Sequence, residues 1–173
     1  MLEIFIELNE TMEHLIVKEA GYEERRIIWE WWNDQDTRKM MKKNDPVSWD
    51  EHTAWYHKFM QQNHSKMYFM YTENKKIGVV RFNYQEKNIF EVSININPLE
   101  RGCGWGKKIL RKAIHEMKDK KRTVHLIAMY KKENISSRNV FLGNGFIETD
   151  QIMLCDKTRN FDPNLELFCQ LEI

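Results

Sequence analysis

Asn97-Pro98-Leu99-Glu100-Arg101-Gly102-Cys103-Gly104-Trp105-Gly106-Lys107-Lys108 is the stretch that decides the fold. It lies between a segment with strand periodicity and one with helix periodicity. On its N-terminal side Phe90, Val92, Ile94 and Ile96 share one face, while Glu91, Ser93 and Asn95 share the other. On its C-terminal side Trp105, Ile109, Leu110, Ala113, Ile114 and Met117 recur at helical spacing. Glycines at alternate positions let the backbone curl so that successive N–H groups point inward, and the following helix adds its positive dipole end. Arg101, Lys107 and Lys108 surround this nest with positive charge, a design suited to a diphosphate. Two better-known phosphate loops are excluded. Lys107 is followed by Lys108 where Walker A needs a hydroxyl residue, and Gly102, Gly104 and Gly106 give GxGxG where a dinucleotide fingerprint needs GxGxxG.

Working outward, the chain reads as strand His14–Lys18, helix Tyr22–Asn33, a short polar helix before Pro46, and a helix from the Ser48/Glu51 capping box to Gln62. Strands follow at Met67–Thr72, Ile77–Tyr84 and Asn88–Ile96, the first two joined by a tight turn at Glu73–Lys76. Beyond the glycine helix come strand Thr123–Met129, helix Ile135–Leu142, a glycine stop at Gly143–Gly145, and strands Phe146–Cys155 and Leu165–Glu172. The order β–α–α–β–β–β–α–β–α–β–β predicts an α/β fold whose antiparallel part gives way to a crossover helix. The expectation is one domain over 1–173, with 1–12 as an extension of uncertain structure, since single domains run about 100–200 residues.

Composition narrows the function. Apolar residues make up 42% and charged residues 31%, a globular balance. No apolar run approaches the roughly 18 residues of a membrane span, and the acidic start is unlike a signal peptide. Cys103, Cys155 and Cys169 form no CxxC pair, and the histidines show no zinc spacing. These features point to a cytoplasmic, metal-free protein with no membrane partner. Residues 101–122 carry nine Lys and Arg, yet a net charge of +1 argues against nucleic acid as the partner.

Arg101–Gly106 fits the [Q/R]-x-x-G-x-[G/A] signature of GCN5-related N-acetyltransferases. Asn134-Ile135-Ser136-Ser137-Arg138-Asn139-Val140-Phe141-Leu142-Gly143-Asn144-Gly145-Phe146 resembles that family's second motif, N-x-x-[A/S]-x-x-x-[Y/F]-x-x-x-G-F. The resemblance implies a mixed, mostly antiparallel sheet of six to seven strands, splayed at its centre and flanked by about four helices. It also implies acetyl-CoA as cosubstrate. The pyrophosphate would sit on backbone amides of Gly102, Cys103, Gly104, Trp105, Gly106 and Lys107, beside Arg101. Pantetheine would pair with backbone near Ile94 and Ile96, and Asn134, Ser137 and Phe141 would flank it. Asn134 is also a natural helix cap, and the two roles are compatible.

Further segments resemble acetyltransferases of nucleotide-linked amino sugars, as in the pseudaminic acid pathway. They are Trp31-Trp32-Asn33-Asp34 with Arg38, Ser48 to Trp55, Ile77 to Phe82, and Glu91 to Ile96. That subgroup commonly reads W-R-N-D where Trp32 replaces the arginine here. Asn33, Arg38, His52, Trp55, Arg81 and Ser93 are the expected acceptor contacts, with Trp32 and Trp49 as stacking surfaces. Arg81 interrupts an apolar run, and its partner is either Glu91 or an acceptor phosphate. Direct attack of a small-molecule amine on the thioester needs a base, for which Glu91 is the candidate, directly or through water. Its alternative role is the ion pair with Arg81. The resemblance places a tyrosine acid where Phe141 stands, so Tyr130 or water would protonate the thiolate, or it leaves unaided. Acetylation of a protein amine and a non-catalytic acetyl-CoA module are the alternative readings, and a monomer or homodimer is expected.

Overall fold

The structure is a computed structural model and describes residues 15–73, 75–118, 123–149, 162 and 164–173. One seven-stranded sheet runs through them: β1 (Ile16–Glu19), β2 (Lys66–Tyr71), β3 (Lys76–Tyr84), β4 (Ile89–Ile96), β5 (His125–Lys131), β6 (Ile147–Glu148) and β7 (Glu166–Glu172). Its order is β1-β2-β3-β4-β5-β7-β6. All neighbours are antiparallel except β4 and β5. Five α-helices accompany it, the short one expected before Pro46 among them: α1 (Arg25–Trp32), α2 (Gln35–Met40), α3 (Trp49–Met60), α4 (Trp105–Met117) and α5 (Ile135–Leu142).

Alternation along β4 sorts the core into two faces. Phe90 and Val92 pack with Val80, Phe82, Leu126 and Ala128 against Ile109, Leu110 and Ala113 of α4 and Phe141 of α5. On the opposite face Met67, Phe69 and Val79 meet Ile28 and Trp31 of α1 and Tyr56 and Phe59 of α3. Helix α3 starts at the expected capping box, in which Ser48 Oγ accepts from Glu51 N–H and the Glu51 carboxylate accepts from Ser48 N–H. The segment expected as one helix from Tyr22 opens instead as a 3-10 turn over Tyr22–Glu24. Strand β6 ends at Glu148, and residues 150–155 of the expected strand lie outside the described residues, as do the 1–12 extension and His14.

Pairing along the central strands opens the sheet. Strand β3 holds β4 from Tyr84↔Phe90 to Gly78↔Ile96, and β7 holds β5 along its whole length. Between β4 and β5 only Ile89↔His125, Phe90↔Leu126 and Glu91↔Ile127 pair. Beyond Glu91 the two strands diverge, leaving a wedge that widens toward their C-terminal ends. The β5-facing peptide groups of β4 past Glu91 have no strand partner there.

Candidate active site

The glycine loop follows directly from the wide end of the wedge. Gly102 and Gly104 have φ of +78° and +76°, a region that L side chains enter only at a cost. A Cβ at either would meet nothing within 4 Å, so the space over both peptides is open. Gly104 caps α4, whose first turn contains no acidic residue. The first-turn N–H groups and the helix dipole therefore face an open position, with Lys107 and Lys108 nearby in sequence. Gly106 has a different reason to be glycine: a Cβ there would lie 2.7 Å from Val140 Cγ2 on α5. The loop and the unpaired edge of β4 together offer a row of backbone donors and acceptors that suits a phosphate-bearing, amide-rich arm, which is what coenzyme A presents. Asn134 caps α5 by accepting from Ser137 N–H at 3.0 Å, and Ser137 is half-buried beside it.

Glu91 lies at the apex of the wedge, in the last row where β4 still touches β5, and is 8% exposed. On the same face Ser93 is opposite Arg81. The Arg81 guanidinium stands 5.0 Å from the rings of both Trp32 and Trp55, which meet edge-on at 4.9 Å. His52 is buried against Trp55, Trp32, Trp49 and Tyr56 and hydrogen-bonds the Arg25 carbonyl through Nε2 at 3.0 Å. Burial holds its imidazole below the ordinary histidine range, helped by the Arg25 charge and opposed by that bond. Trp32, His52, Trp55, Arg81, Ser93 and Glu91 thus come from α1, α3, β3 and β4 to one side of the sheet.

Other expected residues have different surroundings. Arg38 is buried, and its guanidinium donates to the carbonyls of Lys43, Asn44 and Asp45. The Asn33 amide binds both backbone groups of Val47 at 2.8 Å. Both side chains shape the loop from α2 to α3. Tyr130 was expected near the departing sulfur. Its ring stacks on Phe141 at 5.7 Å, and its hydroxyl donates to Glu148 at 2.8 Å, toward β6 and away from the wedge. Burial, then the Glu148 bond, push the Tyr130 phenol well above its usual range. The Arg101 guanidinium, expected beside the nest, turns instead to Asp34 and Thr37. Asp34 and Thr37 are the residues that sequence reasoning missed; the N-cap pattern at Asp34 is visible in the sequence, but its partner 67 positions away is not.

This fold, with a glycine nest at the mouth of a splayed parallel pair, defines an acyl-CoA-dependent acetyltransferase of the GCN5-related class. The family model described as "Acetyltransferase (GNAT) domain" matches residues 14–147, and the chain belongs to that family. It is an N-acetyltransferase that uses acetyl-CoA. The chain is 28% identical over 127 residues to YfmK, an uncharacterized N-acetyltransferase of Bacillus subtilis (strain 168), covering 73% of this chain and 81% of that one. Among solved structures it is similar to the spermidine N-acetyltransferase of Vibrio cholerae in complex with CoA and spermine. There the TM-score is 0.73 at 16% identity, over 93% of this chain and 95% of the other. It is also similar to the ribosomal-protein-alanine N-acetyltransferase of Brucella melitensis, with a TM-score of 0.71 at 18% identity, over 91% and 99%. Among the described residues no cluster of His, Cys, Asp or Glu could hold a metal, and no helix is long and apolar enough to cross a membrane.

Proposed function

We propose that the acceptor is a nucleotide-linked amino sugar, acetylated on its amine in the cytoplasm. The observation that carries this reading is the Arg81 guanidinium set against two tryptophan rings, two rows from the buried Glu91 on one face of the sheet. Flat rings suit a base, and a cation suits a diphosphate. The same cation disfavours a polyamine such as spermine, because like charges repel at an acceptor site.

Acetyl-CoA supplies the acetyl group as a thioester. The amides of Gly102–Lys107 hold its phosphates, the free edge of β4 at Ile94 and Ile96 holds its arm, and Asn134, Ser137 and Phe141 line the other side. Glu91 accepts the amine proton, directly or through one water, and a backbone N–H near Asn95–Ile96 polarises the carbonyl. Phe141 has no proton to give, and Tyr130 is bonded to Glu148, so the sulfur's proton comes from solvent.

Thiol release with acetyl-CoA tests this across a free amino sugar, its uridine diphosphate form, an N-terminal peptide and spermidine. The diphosphate form is expected to exceed the free sugar in kcat/KM by about ten- to a hundredfold, since charge-assisted hydrogen bonds contribute about 1.5–3 kcal/mol each. Equal values for the two sugars would overturn the nucleotide-sugar reading. On the best acceptor, Glu91→Gln is expected to lower kcat about a hundred- to ten-thousandfold with coenzyme A affinity unchanged. Higher pH should recover part of that loss, because more amine arrives neutral. A stable variant with wild-type kcat and pH profile would remove Glu91 from the mechanism.

A further inference from the structure

Helix α2 lies between the two lips of the wedge and is tied to both. On the β4 side, Arg101 Nη1 donates to Asp34 Oδ1 and Nη2 to Thr37 Oγ1, each at 2.5 Å. On the β5 side, Lys131 Nζ donates to the Lys39 carbonyl at 2.7 Å, and just beyond α2 Lys42 pairs with Glu166 of β7 at 3.1 Å. The segment 34–42 therefore spans the wide end of the cleft.

The Arg101 tie has an unusual chemistry. Asp34 Oδ1 is also the N-cap of α2, accepting from Thr37 N–H at 3.1 Å, so one oxygen starts the helix and receives the guanidinium. Burial pushes the Asp34 carboxyl up, but the bonds from Arg101 and Thr37 and the Arg101 charge outweigh it and hold the carboxyl below its usual range. The pair is partly withdrawn from water, with side chains 31% and 25% exposed. Arg101 is joined directly to Gly102, and Gly102 and Gly104 have open space above them.

We propose that Arg101, Asp34 and Thr37 form a latch that couples occupancy of the glycine loop to the position of α2 over the wide end of the cleft. They are positioning residues. A glycine-rich loop with few neighbours keeps conformational freedom, and a ligand on its amides removes it. Arg101 is then fixed at its backbone, so less entropy is lost on closing the latch, and α2 is held more often. Coupling is reciprocal, so a well-seated α2 also raises affinity at the loop. The inference rests on the assignment of Gly102–Lys107 to coenzyme A.

Asp34→Asn separates the latch from the cap, because asparagine is as good an N-cap as aspartate but carries no charge for Arg101. Coenzyme A binding is measured by calorimetry, and amide exchange of residues 37–41 is followed with and without saturating coenzyme A. In the wild type, binding is expected to slow that exchange by about fivefold or more, within the usual range of coupling between sites. In Asp34→Asn, coenzyme A should still bind while the slowing largely disappears. Thr37→Val should reduce it less, because the pair with Asp34 remains. Full slowing in Asp34→Asn, or none in a wild type that binds coenzyme A, would overturn the latch and leave the loop assignment standing. A wild type that binds no coenzyme A would overturn the loop assignment and the latch together.

Discussion

His52 lies among Trp32, Trp49, Trp55 and Tyr56, with its Nε2 on the Arg25 carbonyl. Because burial lowers its pKa in the folded state, the unfolded chain binds a proton first as the pH falls through the ordinary value of 6.5. Stability is therefore full above that value and is lost as the pH drops below it. Urea unfolding at pH 7.5 and 5.5 should show a fall in the wild type that is smaller in His52→Gln, whose amide can still reach the carbonyl. An equal fall in both would contradict a neutral buried imidazole. At this scale the sequence was informative about residue type and less so about task. The W-W-N-D stretch and Arg38 were legible as a polar and aromatic cluster. That Lys43–Asp45 would return their carbonyls to Arg38, and Val47 to Asn33, depends on how the loop folds back, which spacing does not carry. Tyr130 is the same case, since Glu148 reaches it through pairing with β7.

Helices α4 and α5 meet where Gly106 faces Val140, and the contact brings the two signature motifs together. Alanine normally stabilises a helix interior relative to glycine by about 1 kcal/mol. Here its Cβ would lie 2.7 Å from a short, stiff side chain, and overpacking of that kind costs about 1–3 kcal/mol. Gly106→Ala should thus lose stability in urea, and Val140→Ala added to it should restore part of the loss. A Gly106→Ala protein as stable as the wild type would show that the helices part freely. Most elements were readable from periodicity and capping: β4 begins one residue later than expected, and α5 matches at both ends. The β4–β5 register was not readable from these residues. Alternation tells which face a side chain takes, not which strand lies beside it or where pairing stops. The splay came instead from the resemblance carried by the two motifs, and the three-position register bears that expectation out.

Across the whole molecule, one sheet separates two jobs. Its α4 and α5 face carries the large apolar cluster and the glycine nest, and its α1 and α3 face carries the tryptophans, Arg81 and Glu91. The wedge between β4 and β5 is where the faces communicate, and it is built into the strand pairing: β3 and β7 each hold one lip along its full length. The strand edges of the site are preformed in this way, and the ordering that a ligand brings falls on the glycine loop. The most direct measurement is a titration of isotope-labelled protein with coenzyme A, following backbone amide resonances. The largest changes should fall on Gly102–Lys107 and on residues 93–96 of β4, with β1 and the far end of α3 unaffected. Saturable changes centred elsewhere, for example on the β2–β3 hairpin, with residues 93–96 and 102–107 unmoved, would contradict the placement of the cofactor in the wedge.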